Sequence, residues 1–341
     1  MSIFFNILIH ILVLFFFIYF YKNNFLNFLV KEKINQSHGV NYKELPKAGG
    51  LLIITFLLIN IDFYNINISY ILFIFIITFI GILGDLKKEI RYAIRLIILA
   101  VALLIFLLLN NEYLISDFQI NTLQIKLFSN FYFSLFFTLF CITVYLIGIN
   151  FTDGINGNVF GYSVFVMLSI FLIFNEYKID IISLLLVPIL AYFILNSVIP
   201  RFFLGDSGSY LIGFIFAISL IIINNNTSGS ASLKIGLIAF YPAFEVLFSI
   251  FRKIYSKKSP FKPDNMHLHS LVFSNLNKYS LLNENINHLI STLLIFFIFH
   301  LPMLIFIKFT NNFMLLSGYY LFFCTMYLFI YILNLKILRN N

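Results

Sequence analysis

The chain has 341 residues, of which 61% are hydrophobic and only 11% charged, and its mean hydropathy is +0.97. Soluble domains carry about a quarter charged residues, so this chain has too few polar groups to cover a water-facing surface. The composition therefore excludes a soluble globular protein and predicts a protein embedded in lipid. The net charge of +8 is typical of a topological bias, of contact with anionic lipid head groups, or of a phosphate-rich substrate.

Apolar segments recur along the chain at the length that is needed to cross a bilayer. About 20 apolar residues span about 30 Å of hydrocarbon, and they must be helical because lipid offers no hydrogen-bond partners. The sequence predicts one all-α polytopic membrane domain over residues 1–341, with about eleven transmembrane helices. Their approximate ranges are 3–21, 48–60, 68–84, 94–110, 131–149, 159–174, 181–198, 208–223, 233–251, 288–308 and 315–334. The first segment lacks a basic leader and a cleavage site, which favours a retained span over a signal peptide.

The basic residues divide unequally between the loops that join these spans. Loops alternate between two sides, and one side receives only Lys126, Lys178, Lys234 and Lys308 of the 22 basic residues. Cytoplasmic loops carry an excess of Lys and Arg, so the other side is predicted to be cytoplasmic, with the N-terminus outside and the C-terminus inside. Every dense polar cluster of the sequence falls on this cytoplasmic side.

The first two polar clusters flank the second and third spans. Lys47 precedes the pair Gly49 and Gly50, and small residues at a helix start let backbone N–H groups approach an anion. Asp85 ends the third span, with two lysines just beyond it. A carboxylate there is able to hold a metal ion or accept a proton, and an ordinary interfacial Asp–Lys pair is an equally good interpretation.

Two further clusters stand at the ends of the fifth and eighth spans. Asn150 and Asp153 are three residues apart, so one helical turn places both side chains on one face. Asp206 precedes the eighth span, where a carboxylate among small hydroxyl residues suits Mg²⁺ bridging to phosphate oxygens. The other interpretation of Asp206 is a plain helix cap.

The last cluster follows the ninth span. Arg252 leads into a Pro-bounded loop that carries Asp264, His267 and His269, a histidine spacing that lets both rings face a polar cavity in a loop. Asp residues from separate loops, together with His and Arg but without soft metal ligands, predict an oxygen-coordinated Mg²⁺ or Mn²⁺ ion. This combination on one membrane face indicates phosphoryl transfer at the membrane surface.

The order of these motifs resembles that of the polyprenyl-phosphate N-acetylhexosamine-1-phosphate transferases. The stretches that carry the resemblance are Pro46 to Gly50, Gly81 to Asp85, Asn150 to Gly154, Phe203 to Ser209 and Pro263 to His269. The string from Phe203 to Ser209 and the run from Tyr241 to Arg252 are the most specific. They are similar to the branch of the family that acts on simple UDP-N-acetylhexosamines.

The resemblance implies a reaction and its partners. A polyprenyl phosphate lipid, such as undecaprenyl phosphate, attacks the β-phosphate of a UDP-N-acetylhexosamine on the cytoplasmic face of a bacterial inner membrane. UMP leaves, and the lipid-linked product starts an envelope glycan such as O-antigen or a cell-wall polymer. The resemblance also implies Mg²⁺ or Mn²⁺ as cofactor and a homodimer as one form of assembly, and it gives no reason to expect a nucleic-acid partner.

The matching positions imply roles for individual residues. The metal ligands are expected to be Asp206, Asp153 and Asn150. The catalytic residues are expected to be Asp85, Asp153, His267 and His269. The substrate-binding residues are expected to be Lys47, Asn150, Asn196, Arg201, Phe203, Arg252 and Asp264, with Phe203 stacking on uracil.

Three positions depart from the family pattern and keep other interpretations open. Gly84, Asn156 and Ser270 stand where the family usually has Asp, Asp and His. A phosphate monoester is already ionised near neutral pH, its second pKa being about 6, and general-base assistance contributes roughly 10²–10⁴-fold where it exists. A slow enzyme is therefore one outcome, and a relative that binds lipid phosphate or nucleotide sugar without turnover is the alternative. A transporter is a third interpretation, which a broken helix at the midplane would support, and the sequence predicts none.

Overall fold

The structure of the protein is a computed structural model that describes most of the chain. The described residues are 19, 31–33, 44–60, 67–86, 91–117, 127–177, 182, 185–186, 188–190, 203–260, 262, 264–279 and 282–339. Asn196 and Arg201, which the sequence analysis placed in the site, lie outside the described residues, as do the predicted span 3–21, apart from residue 19, and most of the predicted span 181–198.

The regular secondary structure of the described residues is helical apart from one short antiparallel ribbon. Strand β1, Lys31–Lys33, pairs with strand β2, Glu44–Pro46, so that Lys31 lies opposite Pro46. This short ribbon leaves the predicted all-α class in place. The α-helices are α1 Gly49–Asn60, α2 Ile68–Asp85, α3 Tyr92–Leu109, α4 Phe131–Thr152, α5 Asn158–Ile173, α6 Gly205–Asn226, α7 Ala231–Ile238, α8 Phe240–Tyr255, α9 Leu268–Tyr279, α10 Glu284–Ile295, α11 Leu301–Phe309 and α12 Phe313–Arg339. A π-helical turn, Phe296–His300, joins α10 to α11.

The helices confirm a protein built to lie in a membrane. Within the described part of the chain, six helical segments are long and apolar enough to cross a bilayer, and a seventh is added if α7 and α8 form one span. Helices α1 and α5 are apolar but shorter. Each predicted span other than 3–21 and 181–198 coincides with one of these helices or helix pairs. The total of eleven spans and the orientation of the termini stay predictions.

Helix α6 is the centre of the bundle. Of its most apolar 18-residue window, 89% is buried, and it packs against α1, α2 and α4. Small residues in its first turn permit this close packing, as is usual for helix contacts in membranes. A Cβ atom added to Gly81 of α2 would lie 2.5 Å from the backbone nitrogen of Ser207 in α6. Glycine at this position therefore sets how closely the two helices approach.

Helices α7 and α8 form a broken span, which the sequence did not predict. They meet at Ala239 with a bend of 63°. The Tyr162 hydroxyl donates a hydrogen bond of 2.9 Å to the carbonyl oxygen of Ile238 at the break, so this backbone group stays satisfied. Tyr241, two residues after the break, packs against the rings of Phe299 and His300, so these described contacts at the bend are aromatic.

The polar ends of the helices meet on one side of the bundle. Helices α2, α4 and α8 end there, whereas α1, α3, α5 and α6 begin there, as the alternation of the chain requires. All the described polar motifs of the sequence therefore converge at one end of the helices.

The close packing of α2 on α6 is testable with one glycine substitution. We expect Gly81→Ala to lower the free energy of unfolding by about 1–3 kcal/mol, the usual cost of overpacking, because the backbone of Ser207 would have to move. Gly318→Ala in α12 is the matched control, since a Cβ atom there meets nothing within 4 Å. Thermal unfolding followed by circular dichroism in detergent checks this, and equal melting temperatures for the two variants would contradict it.

Candidate active site

A cavity of about 510 Å³ opens where the helix ends converge. The predicted site residues that line it are Lys47, Asn150, Asp153, Phe203, Asp206, Asp264 and His267. Of the other described predictions, Asp85, Arg252 and His269 are not among the lining residues. Most of the described residues that were predicted for the site therefore line one cavity, and the others lie behind its wall.

Asp206 is the carboxylate around which the polar groups gather. It lies in the first turn of α6, and the Asn150 side-chain amide donates to its Oδ1 atom over 2.9 Å. The same amide nitrogen lies 2.9 Å from the hydroxyl of Ser209. The guanidinium of Arg95 forms an ion pair with Oδ2 of Asp206. Asn150 and Asp206 are thus adjacent, as predicted.

Arg95 is a cavity residue that the sequence analysis did not assign to the site. It follows the Asp85 motif in the first turn of α3, and its guanidinium carbon lies 5.6 Å from the centre of the Tyr92 ring. A Cβ atom added to Gly84 would collide with this guanidinium and would lie 2.5 Å from Oδ2 of Asp206. The departure at Gly84 therefore leaves the room that the Arg95–Asp206 pair occupies. The sequence did offer a signal for Arg95, because it is a basic residue in the first turn of the helix that follows the Asp85 motif.

Asp85 holds the start of α6 instead of facing the cavity. Its side chain is fully buried, and its two oxygens accept 2.9 Å hydrogen bonds from the backbone N–H groups of Asp206 and Ser207. These are free donors at a helix N-terminus, where a carboxylate is the favoured partner. Gly205, at φ +77°, brings the backbone against this carboxylate. The structure therefore shows a capping contact for Asp85, and its proton-accepting role stays a prediction.

The glycine pair at the start of α1 also differs from the expectation. The N–H groups of Ala48 and Gly49 donate to the carbonyl oxygen of Phe203, and that of Gly50 donates to the carbonyl oxygen of Leu204. These donors are therefore used inside the protein, not offered to an anion. What the pair provides is close contact with the segment that carries Phe203 into the cavity.

His267 and His269 share one buried carboxylate, Glu245 of α8. Nδ1 of His267 lies 3.0 Å from Oε2 of Glu245, and Nδ1 of His269 lies 3.6 Å from Oε1. The backbone N–H of Leu268 also donates to this carboxylate over 3.0 Å. The two rings stack with their centres 5.6 Å apart. Glu245 therefore positions both histidines, a role that its place in the Tyr241 to Arg252 run could have suggested.

Only His267 of this pair reaches the cavity. His269 is fully buried beneath Gly154, where a Cβ atom would lie 2.7 Å from its Nε2 atom. Burial lowers the pKa of His269 below the usual histidine value, and the nearby charge of Glu245 only partly opposes this. His269 is not among the residues that line the cavity, and its catalytic role stays a prediction.

Arg252 and Asp264 form a bidentate pair that holds the loop after α8. The two distances are 3.0 Å and 3.1 Å, from Nη1 to Oδ2 and from Nη2 to Oδ1. Burial raises the pKa of Asp264, but the hydrogen bonds and charge of Arg252 outweigh it and hold that pKa below its usual value. Asp264 therefore stays ionised at neutral pH. Arg252 acts on the loop, and the neighbouring Lys253, which the sequence analysis did not assign, lines the cavity.

The donor set at the cavity fits a hard divalent cation. Asp206 and Asp153 line the cavity with carboxylates, a ligand type that Mg²⁺ takes, while Asn150 turns its amide nitrogen toward Asp206. Among the described residues no three His, Cys, Asp or Glu side chains form a metal cluster. A cation here would therefore be held by few protein groups, which suits Mg²⁺ because it retains water and substrate phosphate oxygens.

The fold and this cavity define a helical membrane protein with a polar site that is lined by both cationic and carboxylate side chains. Residues 67–224 match the sequence profile described as glycosyl transferase family 4. This match, over a little less than half of the chain, supports the resemblance found in the motifs.

Several relatives carry the name undecaprenyl-phosphate alpha-N-acetylglucosaminyl 1-phosphate transferase. The one from Thermotoga maritima is 26% identical over 255 residues, which cover 75% of this chain and 76% of the relative. That from Escherichia coli O157:H7 is 28% identical over 242 residues, covering 67% of this chain and 65% of the relative. That from Haemophilus influenzae is 35% identical over 96 residues, 26% of each chain.

Because Asp85 caps the start of α6, we expect its replacement to lower the stability of the protein. We expect Asp85→Ala to lower the free energy of unfolding by about 1–2 kcal/mol, because two N–H groups of α6 lose their acceptor. Asp85→Asn should cost less, since the amide keeps one acceptor oxygen. Thermal unfolding of both variants in detergent measures this. An Asp85→Ala protein with unchanged stability would show that the capping contacts do not matter.

Proposed function

We propose that the protein is a membrane glycosyl-1-phosphate transferase. It moves an N-acetylhexosamine-1-phosphate from a UDP-sugar to a polyprenyl phosphate such as undecaprenyl phosphate, and it releases UMP. The observation that carries the proposal is the single cavity in which Lys47, Arg95 and Lys253 surround the carboxylates of Asp206 and Asp153. The names of the relatives supply the class of sugar and of acceptor lipid.

The charges of the cavity suit a diphosphate and a phosphate monoester brought together. Cationic side chains neutralise the anionic donor and acceptor, which would otherwise repel each other. Phe203 lines the same cavity beside Lys47, where its ring is available to stack on uracil. A site at the polar ends of the helices also gives access to a lipid head group and to a water-soluble nucleotide together.

The chemistry is one displacement at phosphorus. An oxygen of the lipid phosphate forms a bond to the β-phosphorus of the donor, and the bond between that phosphorus and the bridging oxygen breaks. UMP leaves with the bridging oxygen and its electron pair, and the lipid retains a diphosphate-linked sugar. The attacking phosphate is largely ionised at neutral pH, its second pKa being about 6, so no proton has to be removed. The reaction therefore does not need Asp85 as a base.

We propose Mg²⁺, or Mn²⁺ in its place, as the cofactor. Asp206, with Asn150 and Asp153, would hold the ion, which supplies charge neutralisation at the diphosphate when it is bound. The protein side chains would position the ion and the phosphates. Asn150 orients the Asp206 carboxylate, and Arg95 is close enough to move from Asp206 to a phosphate oxygen.

The reaction is proposed to take place on the cytoplasmic face of a bacterial inner membrane. The described basic residues support this, because the loops at the cavity end carry most of them. At the opposite end, the described basic residues are Lys234 and Lys308.

The alternative is a relative that binds its ligands without turnover. Gly84, Asn156 and Ser270 favour it, since two expected carboxylates and one expected histidine are missing. The two functions differ in one product. Purified protein given Mg²⁺, undecaprenyl phosphate and a panel of UDP-N-acetylhexosamines releases UMP if it is the transferase, and binds UDP-sugar without UMP release if it is the alternative.

Asp206 is the residue whose loss should matter most for this reaction. We expect Asp206→Ala to reduce metal-dependent UMP release by roughly 10²-fold or more, since metal-assisted charge stabilisation contributes several kcal/mol. Asp117→Ala, at the opposite end of the bundle, is the control and should leave the rate unchanged. Thermal unfolding verifies that both variants fold. A near-normal rate for Asp206→Ala would remove Asp206 as the main metal ligand.

The orientation is tested by reporter fusions at two points. A reporter fused after Asn341 should report the cytoplasm, and one inserted at Asn312, between α11 and α12, should report the outside. The two positions flank one span, so they must give opposite signals. A C-terminal reporter outside the cell would overturn the proposed face of the active site.

A further inference from the structure

The cavity has two chemically different ends. At one end Lys47 and Phe203 are linked by a backbone bridge, and next to them Arg95 pairs with Asp206. The other end lies between the loop after α4 and the helices α9 and α10. Four of its lining side chains, Asn156, Ser270, Phe273 and His288, are neither carboxylates nor ammonium or guanidinium groups, while Asp153 of the same loop also lines the cavity. We call these four residues the neutral end.

A stacked pair of rings forms one wall of the neutral end. His288 of α10 and Phe273 of α9 lie with their ring centres 3.9 Å apart and an angle of 12° between the rings. His288 is only 7% exposed, yet it lines the cavity, and its Nδ1 atom has no hydrogen-bond partner. An unpaired polar atom at a buried position costs free energy unless a ligand or water completes it.

Asn156 supplies a second unpaired polar group from the facing loop. Its side-chain nitrogen is buried without a hydrogen-bond partner. Its backbone is fixed, because the Thr292 hydroxyl donates to its carbonyl oxygen over 3.1 Å. Thr292 stands one helical turn beyond His288 on α10, so the same helix carries the ring and anchors the loop. Helix α10 therefore fixes the positions of both His288 and the Asn156 backbone.

Neutral hydrogen-bonding groups beside an aromatic wall suit one portion of the proposed donor. The diphosphate requires the cationic part of the cavity, and Phe203 stands at that end to receive the uracil. What is left for the neutral end is an uncharged ligand with hydroxyl and amide groups. An N-acetylhexosamine ring has both, and its acetamido methyl group and apolar ring face fit against aromatic side chains.

We propose that Asn156, Phe273 and His288 form the subsite that binds the N-acetylhexosamine ring of the UDP-sugar. This inference rests on the proposed function and adds the residues that recognise the sugar. Two of the departures from the family pattern, Asn156 and Ser270, fall in this subsite. They make it neutral where the family pattern would place a carboxylate and a further imidazole. The departures thus alter sugar recognition more directly than the phosphate chemistry around Asp206.

The test compares two ligands that differ only in the sugar. Binding of UDP-N-acetylglucosamine and of UDP to the purified full chain is measured by calorimetry in detergent with Mg²⁺. We expect His288→Phe, which keeps a ring against Phe273 but removes the nitrogen, and Asn156→Ala each to weaken UDP-N-acetylglucosamine binding by about tenfold, the usual effect of one lost hydrogen bond. Binding of UDP should change less than twofold.

His300→Phe is the matched control. His300 is a second buried histidine of the same transmembrane segment, but it lies between Phe165 and Tyr241, away from the cavity. It should leave both affinities unchanged.

Each other outcome overturns the proposal in a distinguishable way. Equal losses for UDP and for UDP-N-acetylglucosamine in His288→Phe would assign the neutral end to the uridine diphosphate part. Unchanged affinities in both variants would show that the neutral end does not contact the donor. In these two cases the proposed function stands and the subsite falls. A wild-type protein that binds neither ligand would overturn the proposed function together with the subsite.

Discussion

The contact between the Asp85 carboxylate and the first turn of α6 is the constraint on which the site depends. It joins the end of α2 to the start of α6, the most buried helix of the bundle. The Asp85 oxygens accept hydrogen bonds from the N–H groups of Asp206 and Ser207, and this fixes the backbone that carries the Asp206 side chain. Gly81 and Gly205 allow the close approach that this requires. A buried carboxylate is costly alone, and here two helix N–H groups and their dipole compensate it.

The remaining charges of the site are arranged as small groups with distinct tasks. Asp206 and Arg95 face the cavity and form an ion pair there. Glu245 fixes His267 and His269 from behind, and Arg252 with Asp264 fixes the loop. Within one short sequence motif, some residues make buried structural contacts and their neighbours line the cavity.

The sequence predicted the membrane class, most of the described helices and the location of the site, for physical reasons. Length and hydropathy specify a transmembrane helix almost alone, because lipid demands internal backbone hydrogen bonding. The alternation of spans then brings Asn150, Asp153 and Asp206 to one end of the bundle. Which side chains face the cavity was less predictable. Asp85 and His269 sit in the expected motifs, but they are buried by contacts with Ser207 and Glu245 that are distant in sequence.

The break between α7 and α8 and the contribution of Arg95 were unpredictable for the same reason, since each depends on contacts between distant segments.

The proposed transferase reaction is tested most directly by its lipid product. Purified protein is incubated with Mg²⁺, undecaprenyl phosphate and UDP-N-acetylglucosamine, and the extracted lipid is examined by mass spectrometry. The account predicts a lipid heavier by one N-acetylhexosamine phosphate. Unmodified undecaprenyl phosphate, recovered from a folded protein that binds the UDP-sugar, would contradict it.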